Sequence, residues 1–159
     1  MSTVRSSQAA AAETELSTVR RLLLALMLFG SFGLLVELFL LQHFESPWQW
    51  SPIVLLSAGL VCGVVLWVRP GRQAVLFYRG LMVAYLLASL VGMTLHYQSN
   101  AELEIEMDSA IGSADLFWYA IHGATPALAP GALLQLGILG LILVYRHPSI
   151  AARSAGSTG

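Results

Sequence analysis

The chain has 159 residues, of which 57% are hydrophobic and 11% are charged, and its mean hydropathy is +0.72. A soluble domain of this length cannot bury so large an apolar fraction in one core, so the composition excludes a soluble globular protein. The net charge is -1 and no lysine is present, which argues against a protein that binds nucleic acid.

Four apolar blocks are each long enough to cross about 30 Å of hydrocarbon as an α-helix. They cover residues 22–42, 52–68, 74–95 and 126–145. The sequence therefore predicts an all-α membrane protein whose four transmembrane helices lie within residues 20–146. The single cysteine, Cys62, lies in the second block, and one cysteine alone forms neither an intrachain disulfide nor a thiolate metal site.

The positive charges predict the orientation of the protein. All eight basic residues are arginines, and four crossings place them all on one side of the membrane: Arg5, Arg20, Arg21, Arg69, Arg72, Arg79, Arg146 and Arg153. An excess of arginine marks the cytoplasmic side, so both termini are predicted to be cytoplasmic. Most of the acidic residues fall on the opposite, periplasmic side.

The two ends of the chain differ from the apolar blocks in composition. The predicted cytoplasmic tails are residues 1–19 and 147–159, and within them residues 1–17 and 151–159 consist mostly of alanine, serine and threonine. Segments of this composition usually remain disordered. We therefore predict two disordered cytoplasmic tails on either side of the transmembrane domain.

The longest polar interval is the loop of residues 98–124, which is predicted to face the periplasm. Within it, Glu102, Glu104, Glu106 and Asp108 alternate with apolar residues. An extended strand places the four carboxylates on one face, whereas a helix scatters them. We therefore expect a short extended ribbon on the membrane surface whose acidic face meets a basic partner. Simple solvation of the loop is the alternative.

An aromatic segment follows the ribbon and leads into the fourth crossing. Residues 114–121 resemble a short interfacial helix capped by Ser113, and Trp118 within it is a candidate partner contact. The fourth crossing is expected to begin near Pro126, a residue that suits the first helical position. Pro130 then removes one backbone hydrogen bond and is predicted to kink that helix.

Small residues predict how the helices pack. Gly30, Gly33 and Glu37 share one face of the first helix, so this face is expected to point into the protein. In the second helix, Gly59 and Gly63 form a G-x-x-x-G pattern. This pattern is common in membrane helices, and packing within the chain is favoured over dimerisation.

Four polar residues lie at a similar depth in the predicted bundle. Counting from the helix ends at about 1.5 Å per residue places Glu37, Ser57, Ser89 and Gln135 in one layer. A carboxylate within a membrane costs at least about 2.5 kcal/mol, so Glu37 is expected to form a hydrogen bond with Ser89, Gln135 or Tyr85. A proton or ligand role and a purely structural role both remain open.

Three histidines are predicted at the periplasmic rim, in three different segments: His43, His96 and His122. Together, with Glu45 or Glu102 as a further ligand, they have the chemistry to bind zinc or copper. Two of them suffice to ligate a haem or a chlorin. No metal-binding motif supports this site, and histidine without a ligand is also common at membrane interfaces.

Two segments carry a resemblance to known proteins. The segments LHYQSNAELEIEMD (residues 95–108) and ALAPGALLQLGILGLILVYRHP (residues 127–148) resemble those of small, functionally uncharacterised four-helix proteins of the bacterial inner membrane. The resemblance covers the second half of the chain. It implies a bacterial inner membrane and no catalytic residues.

The sequence contains no nucleotide-binding loop and no defensible catalytic constellation. We therefore expect a non-enzymatic accessory subunit of a larger respiratory, photosynthetic or transport complex. Its expected partners are the lipid bilayer and other integral membrane subunits, with a homo-oligomer also considered. The alternatives are a metal- or cofactor-binding protein that uses the three histidines and a small oligomeric transporter that uses Glu37.

Overall fold

The computed structural model describes residues 2–123 and 127–151, and all regular structure within these residues is helical. The helices in chain order are α1 (Ser2–Leu40), α2 (Pro47–Val68), α3 (Arg72–Met107), α4 (Ser113–His122), α5 (Gly131–Val144) and α6 (Pro148–Ala151). The predicted all-α class is confirmed for the described part of the chain.

Three helices, α1, α2 and α3, are long and apolar enough to cross a membrane, which indicates a multi-pass membrane protein. Helix α5 is also apolar, but its 14 residues span only about 21 Å. It begins after Pro130, which therefore precedes the helix instead of kinking it as predicted. Residues 124–126, including the predicted start at Pro126, lie outside the described residues.

The prediction that residues 1–17 are disordered is wrong for residues 2–17. These residues continue α1, which is 39 residues and about 58 Å long. The segment has no proline or glycine and includes four consecutive alanines, the strongest helix former, so the transmembrane helix propagates through it. Its side chains are exposed from Thr3 to Val19. The C-terminal tail is described only as far as residue 151.

The predicted acidic ribbon is also wrong, because residues 102–107 belong to α3. Neither glycine nor proline occurs between Gly92 and Gly112, and glutamate, leucine and methionine favour a helix. The helix separates the acids: Glu102 and Glu106 are exposed at a spacing of four residues, whereas Glu104 is half-buried. The four carboxylates therefore do not share one face, although Glu102 and Glu106 do.

The core lies between α1, α2, α3 and α5, and glycines let these helices approach closely. A Cβ at Gly59 would overlap the Tyr85 hydroxyl of α3, and one at Gly63 would lie 2.7 Å from a methyl group of Leu28 in α1. The G-x-x-x-G pattern thus serves packing within the chain, as the sequence analysis favours. Tyr85 is fully buried, and its hydroxyl donates to the Leu55 carbonyl at 3.1 Å.

Helix α5 packs most closely against α3. A Cβ at Gly137 would lie 3.0 Å from the Met82 carbonyl oxygen, and one at Gly140 would overlap the Met82 side chain. Both glycines are buried. Because the two helices meet backbone to side chain along this contact, α5 is held in the bundle although it is short.

Contacts between distant residues define one end of the bundle, which we call the arginine end. The Arg20 guanidinium of α1 donates to the carbonyl oxygens of Tyr145 and Arg146, at 3.2 and 3.3 Å. The Ser149 hydroxyl donates to the carbonyl of Pro70 in the turn between α2 and α3. The middle of α1, this turn and the end of α5 therefore lie together. The opposite end, where α1 meets α2 and where α3 meets α4, is called the acidic end.

Candidate functional site at the acidic end

The turn between α1 and α2 is held by a capping box. The Ser46 hydroxyl accepts a hydrogen bond from the Gln49 backbone, and the Gln49 side chain accepts from the Ser46 N–H at 3.0 Å. The same amide oxygen accepts from the Glu45 N–H at 2.7 Å. These bonds satisfy N–H groups at the start of α2, so the helix begins at Pro47 and not at Pro52. These bonds order the turn between α1 and α2.

Helix α4 is attached to the last turns of α3 by a buried amide. The Asn100 side chain donates to the Ala120 carbonyl oxygen at 2.8 Å, and both residues are buried. A Cβ at Gly123 would lie 2.6 Å from an Asn100 side-chain atom, so α4 ends where only glycine fits. The cap of α4 is Gly112, which corrects the predicted cap at Ser113. The two helices thus form one structural unit, the α3–α4 hairpin.

The α3–α4 hairpin displays aromatic side chains on its outer face. Phe117, Trp118 and Tyr119 are about half exposed or more, at 49%, 59% and 55%. The Phe117 ring contacts Tyr97 of α3, with ring centroids 6.3 Å apart. Trp118 contacts both Phe117 and His122. This row of aromatic rings is the largest exposed feature that α4 contributes to the acidic end.

Two of the three predicted histidines meet and the third does not. The His43 and His96 rings lie with centroids 6.3 Å apart. Burial lowers the pKa of His43 from its ordinary value of 6.5, and His96 lowers it further. His122 instead lies on α4, where its Nδ1 is 2.9 Å from the Trp118 carbonyl oxygen. Within residues 2–123 and 127–151, no group of three potential metal ligands comes together.

The predicted polar layer is not assembled. Ser89 is fully buried, but its hydroxyl donates to the Pro130 carbonyl at 2.7 Å. Ser57 is half-buried, whereas Glu37 and Gln135 are exposed on the outside of the bundle. The expected hydrogen bond from Glu37 to Ser89, Gln135 or Tyr85 is therefore wrong.

Glu37 does not reach the other polar residues because the face of α1 that carries it points away from the bundle. A Cβ at Gly30 would lie 3.5 Å from a methyl group of Leu136 in α5, but a Cβ at Gly33 would meet nothing within 4 Å. The face that carries Gly33 and Glu37 points outward, contrary to the prediction that it points into the protein. The residues that pack α1 into the bundle are Leu24, Met27 and Ser31, which are 5% exposed or less. Helical periodicity defines both faces, and only packing selects between them.

Two of the contacts that shape this site are absent from the sequence analysis. The side chain of Asn100 joins α4 to α3, and Ser89 joins α3 to the chain before α5. A signal for Asn100 exists, because it continues the helical stripe of Tyr85, Ser89 and His96 at the next turn. The acceptor of Ser89 is a backbone carbonyl, and every residue has a backbone carbonyl. The sequence therefore does not indicate which one Ser89 binds.

No known protein family, curated protein or solved structure matches this chain. The resemblance of residues 95–108 and 127–148 to bacterial inner-membrane proteins therefore stays a prediction.

Proposed function

We propose that this chain is a non-enzymatic accessory subunit of a larger membrane assembly of respiratory, photosynthetic or transport type. The observation that carries the proposal is the α3–α4 hairpin. The apolar part of α3 ends at Leu95, and the helix continues for 12 residues, or about 18 Å, to Met107. This projection is long enough to reach a neighbouring protein above the membrane surface.

The hairpin combines charge with apolar area, as protein interfaces do. Glu102 and Glu106 are exposed on α3, and Trp118 is exposed on α4. Aromatic residues are common at the centres of interfaces, where they supply most of the binding free energy. Carboxylates at the edge orient a basic partner and accelerate its association. Asp108, which follows the helix, is also exposed and extends the acidic surface.

A second surface lies within the apolar part of the bundle. One face of α1 is exposed along several turns. Its residues follow one another at spacings of three, four and seven, which suit a single helix face: Leu26, Phe29, Gly33 and Leu40. Glu37 lies beside them. Phe29 is 76% exposed and Leu40 is 79% exposed. A carboxylate that faces hydrocarbon costs at least about 2.5 kcal/mol on insertion scales. A hydrogen-bond donor on a partner helix would offset this cost.

We further propose that the protein spans a bacterial inner membrane four times, with both termini in the cytoplasm. Arg20, Arg69, Arg72 and Arg146 lie at or beside the arginine end, and an excess of arginine is typical of the cytoplasmic side. In this orientation α5 is the fourth crossing and the α3–α4 hairpin is periplasmic. Labelling a cysteine introduced at Glu104 in a Cys62-free variant tests the orientation, because periplasmic reagents should reach it first.

Purification from native membranes in mild detergent tests the subunit proposal. Integral membrane proteins should co-migrate with the wild-type chain. The variant Trp118→Ala and the double variant Glu102→Gln, Glu106→Gln should each reduce this recovery. Trp67→Ala is the matched control, because Trp67 is 48% exposed but lies on α2 near the arginine end. Recovery of the chain alone, with catalysis or transport reconstituted from it, would replace the proposal with an enzyme or a small oligomeric transporter.

The contact between His43 and His96 favours one further candidate function, the binding of a metal or a haem-like cofactor. Two imidazoles from different segments suit a shared metal ion whose remaining ligands come from a partner or from water. Elemental analysis and an absorption spectrum of the purified protein should then show a metal or a cofactor that His43→Ala and His96→Ala remove. A colourless, metal-free protein with an intact fold contradicts this function.

A further inference from the structure

A groove of about 440 Å³ opens between α2 and α3 at the arginine end. Its walls include Cys62, Val65 and Phe77, and its rim carries Arg69. Val65 and Phe77 are 47% and 66% exposed, so the groove faces the surroundings of the bundle and not its core. Since α2 and α3 are two of the helices suited to cross a membrane, the groove opens toward lipid.

The groove is apolar along its length and polar at one end. Cys62 and Arg69 are seven residues apart on α2, which separates them by about 10 Å along the helix axis. The wall beside Cys62 includes the apolar residues Val65 and Phe77, whereas the residues at the other end are Arg69, Gly71 and Gln73. An apolar groove with an arginine at one end complements a lipid that carries an acyl chain and a phosphate, because a guanidinium binds phosphate strongly.

The turn that holds Arg69 is well defined. The Arg69 N–H donates to the Val65 carbonyl at 2.8 Å, and its carbonyl accepts from the Gly71 N–H at 2.7 Å. From the C-terminal side, the Ser149 hydroxyl donates to the Pro70 carbonyl. Because these bonds hold the backbone of the turn, a bound headgroup needs to order only the Arg69 side chain, which lowers the entropic cost of binding.

The start of α3 adds a second attraction for an anion at the same place. Gly71 is the N-cap of α3 and offers no side-chain oxygen to the N–H groups of the first turn. These N–H groups and the helix dipole favour a negative charge next to Gly71, which itself lines the groove. The helix start would not make a site alone, but here it adjoins the guanidinium and the apolar channel.

We propose that this groove binds one anionic phospholipid from the bilayer leaflet at the arginine end. One acyl chain lies along Cys62, Val65 and Phe77, and the phosphodiester lies between the Arg69 guanidinium and the start of α3. The site differs from the protein contacts proposed at the acidic end and does not depend on them. It gives the protein a preference for anionic over zwitterionic lipid that a smooth helical surface lacks.

Native mass spectrometry of the purified full chain tests this site. The protein is equilibrated with equal amounts of phosphatidylglycerol and phosphatidylcholine in detergent. The wild-type protein should retain one lipid molecule and prefer phosphatidylglycerol. Arg69→Gln should reduce the preference for phosphatidylglycerol about tenfold, because the variant loses the charge-assisted hydrogen bonds between the guanidinium and the lipid phosphate. Arg21→Gln, an exposed arginine on α1, should leave the preference unchanged.

A second variant tests the apolar part of the groove without changing the charge. Val65→Trp places a large side chain in the groove from an exposed position, so the fold should survive and lipid retention should fall for both lipids. Bound phosphatidylglycerol should also slow the alkylation of Cys62 in wild-type protein. Equal retention of the two lipids by the wild type, or an equal loss of preference in Arg69→Gln and Arg21→Gln, would show that no such site exists.

Discussion

The side-chain amide of Asn100 donates a hydrogen bond of 2.8 Å to the carbonyl oxygen of Ala120. Asn100 is 2% exposed and Ala120 is fully buried. This bond joins a residue near the end of α3 to the last turn of α4, where helix carbonyls have no partner within their own helix. It therefore determines how α4 lies against α3 and where its aromatic rings are displayed.

Replacing Asn100 should release α4 while the membrane-spanning bundle remains intact. In Asn100→Leu the Ala120 carbonyl loses this donor, which costs about 1 to 3 kcal/mol for a buried group. Hydrogen exchange should accelerate in residues 113–122 and remain slow in the core of α2. Gln98→Leu is the control, because Gln98 is exposed. Unchanged exchange in α4 of the Asn100 variant would contradict the assigned role of the amide.

Two glycines that look alike in the sequence should respond differently to alanine. In Gly59→Ala the new methyl group overlaps the Tyr85 hydroxyl, so Tyr85 must move and its bond to the Leu55 carbonyl is disturbed. Overpacking of this kind destabilises by about 1 to 3 kcal/mol. In Gly33→Ala the methyl group meets nothing within 4 Å, and stability should change by less than about 1 kcal/mol. Thermal unfolding in detergent measures both; equal losses would refute the packing described.

Two adjacent arginines should differ in their effect on stability. Arg20→Gln removes the guanidinium that donates to the Tyr145 and Arg146 carbonyls at the end of α5. The free energy of unfolding should fall by about 1 kcal/mol, because the variant loses these hydrogen bonds and the favourable cation at the C-terminus of α5. Arg21→Gln removes the same charge from an exposed neighbour and should have little effect. A comparison of the two melting temperatures separates the hydrogen bonds from the charge.

Glu37 should contribute little to the stability of the isolated protein. Its side chain is exposed and does not take part in the core. Glu37→Gln and Glu37→Leu should each change the free energy of unfolding by less than about 0.5 kcal/mol in detergent. In native membranes Glu37→Leu should reduce the recovery of partner proteins, whereas Glu37→Gln retains a hydrogen-bonding group. Destabilisation of the isolated chain by both variants would indicate an internal role instead.

Stability should decrease as the pH falls from about 6.5, the ordinary histidine value. Burial lowers the pKa of His43 and of His147, with further lowering by His96 and Arg20 respectively. The unfolded chain then binds protons at a higher pH than the folded chain. The free energy of unfolding therefore falls as the pH drops from about 6.5 to the lowered pKa values. His43→Gln should weaken this dependence. Melting temperatures across this pH range measure the effect.

Several features of the molecule follow from local sequence alone. Continuous apolar runs indicate membrane helices because hydrocarbon offers no hydrogen bonds to the backbone. The runs at residues 52–68 and 74–95 lie in helices, and so does the run at residues 22–42 as far as Leu40. The close approach at Gly59 and Gly63 is likewise a local property, since a residue without a Cβ lets another helix come near. The aromatic helix after Gly112 is also recognisable from its residues.

The candidate site shows where such reasoning ends. The alternation of acids and apolar residues at 102–107 suits a strand, yet helix propagation from α3 prevails because nothing in the segment interrupts it. Glu37 shares a face with Gly33, but sequence periodicity is the same whether that face points inward or outward. His43 and His96 belong to distant segments and meet only in the folded chain, whereas His122 lies on α4 beside the Trp118 carbonyl.

The sequence by itself determined the helical class, the apolar helices and the separation of arginine from acid along the chain, because each depends on neighbouring residues. The tertiary structure alone decided which face of α1 is buried, which histidines meet, and that Asn100 and Ser89 bind the carbonyls of Ala120 and Pro130. These outcomes depend on the relative positions of helices. Packing between glycines and large side chains sets those positions, and it depends on which residues of distant helices meet.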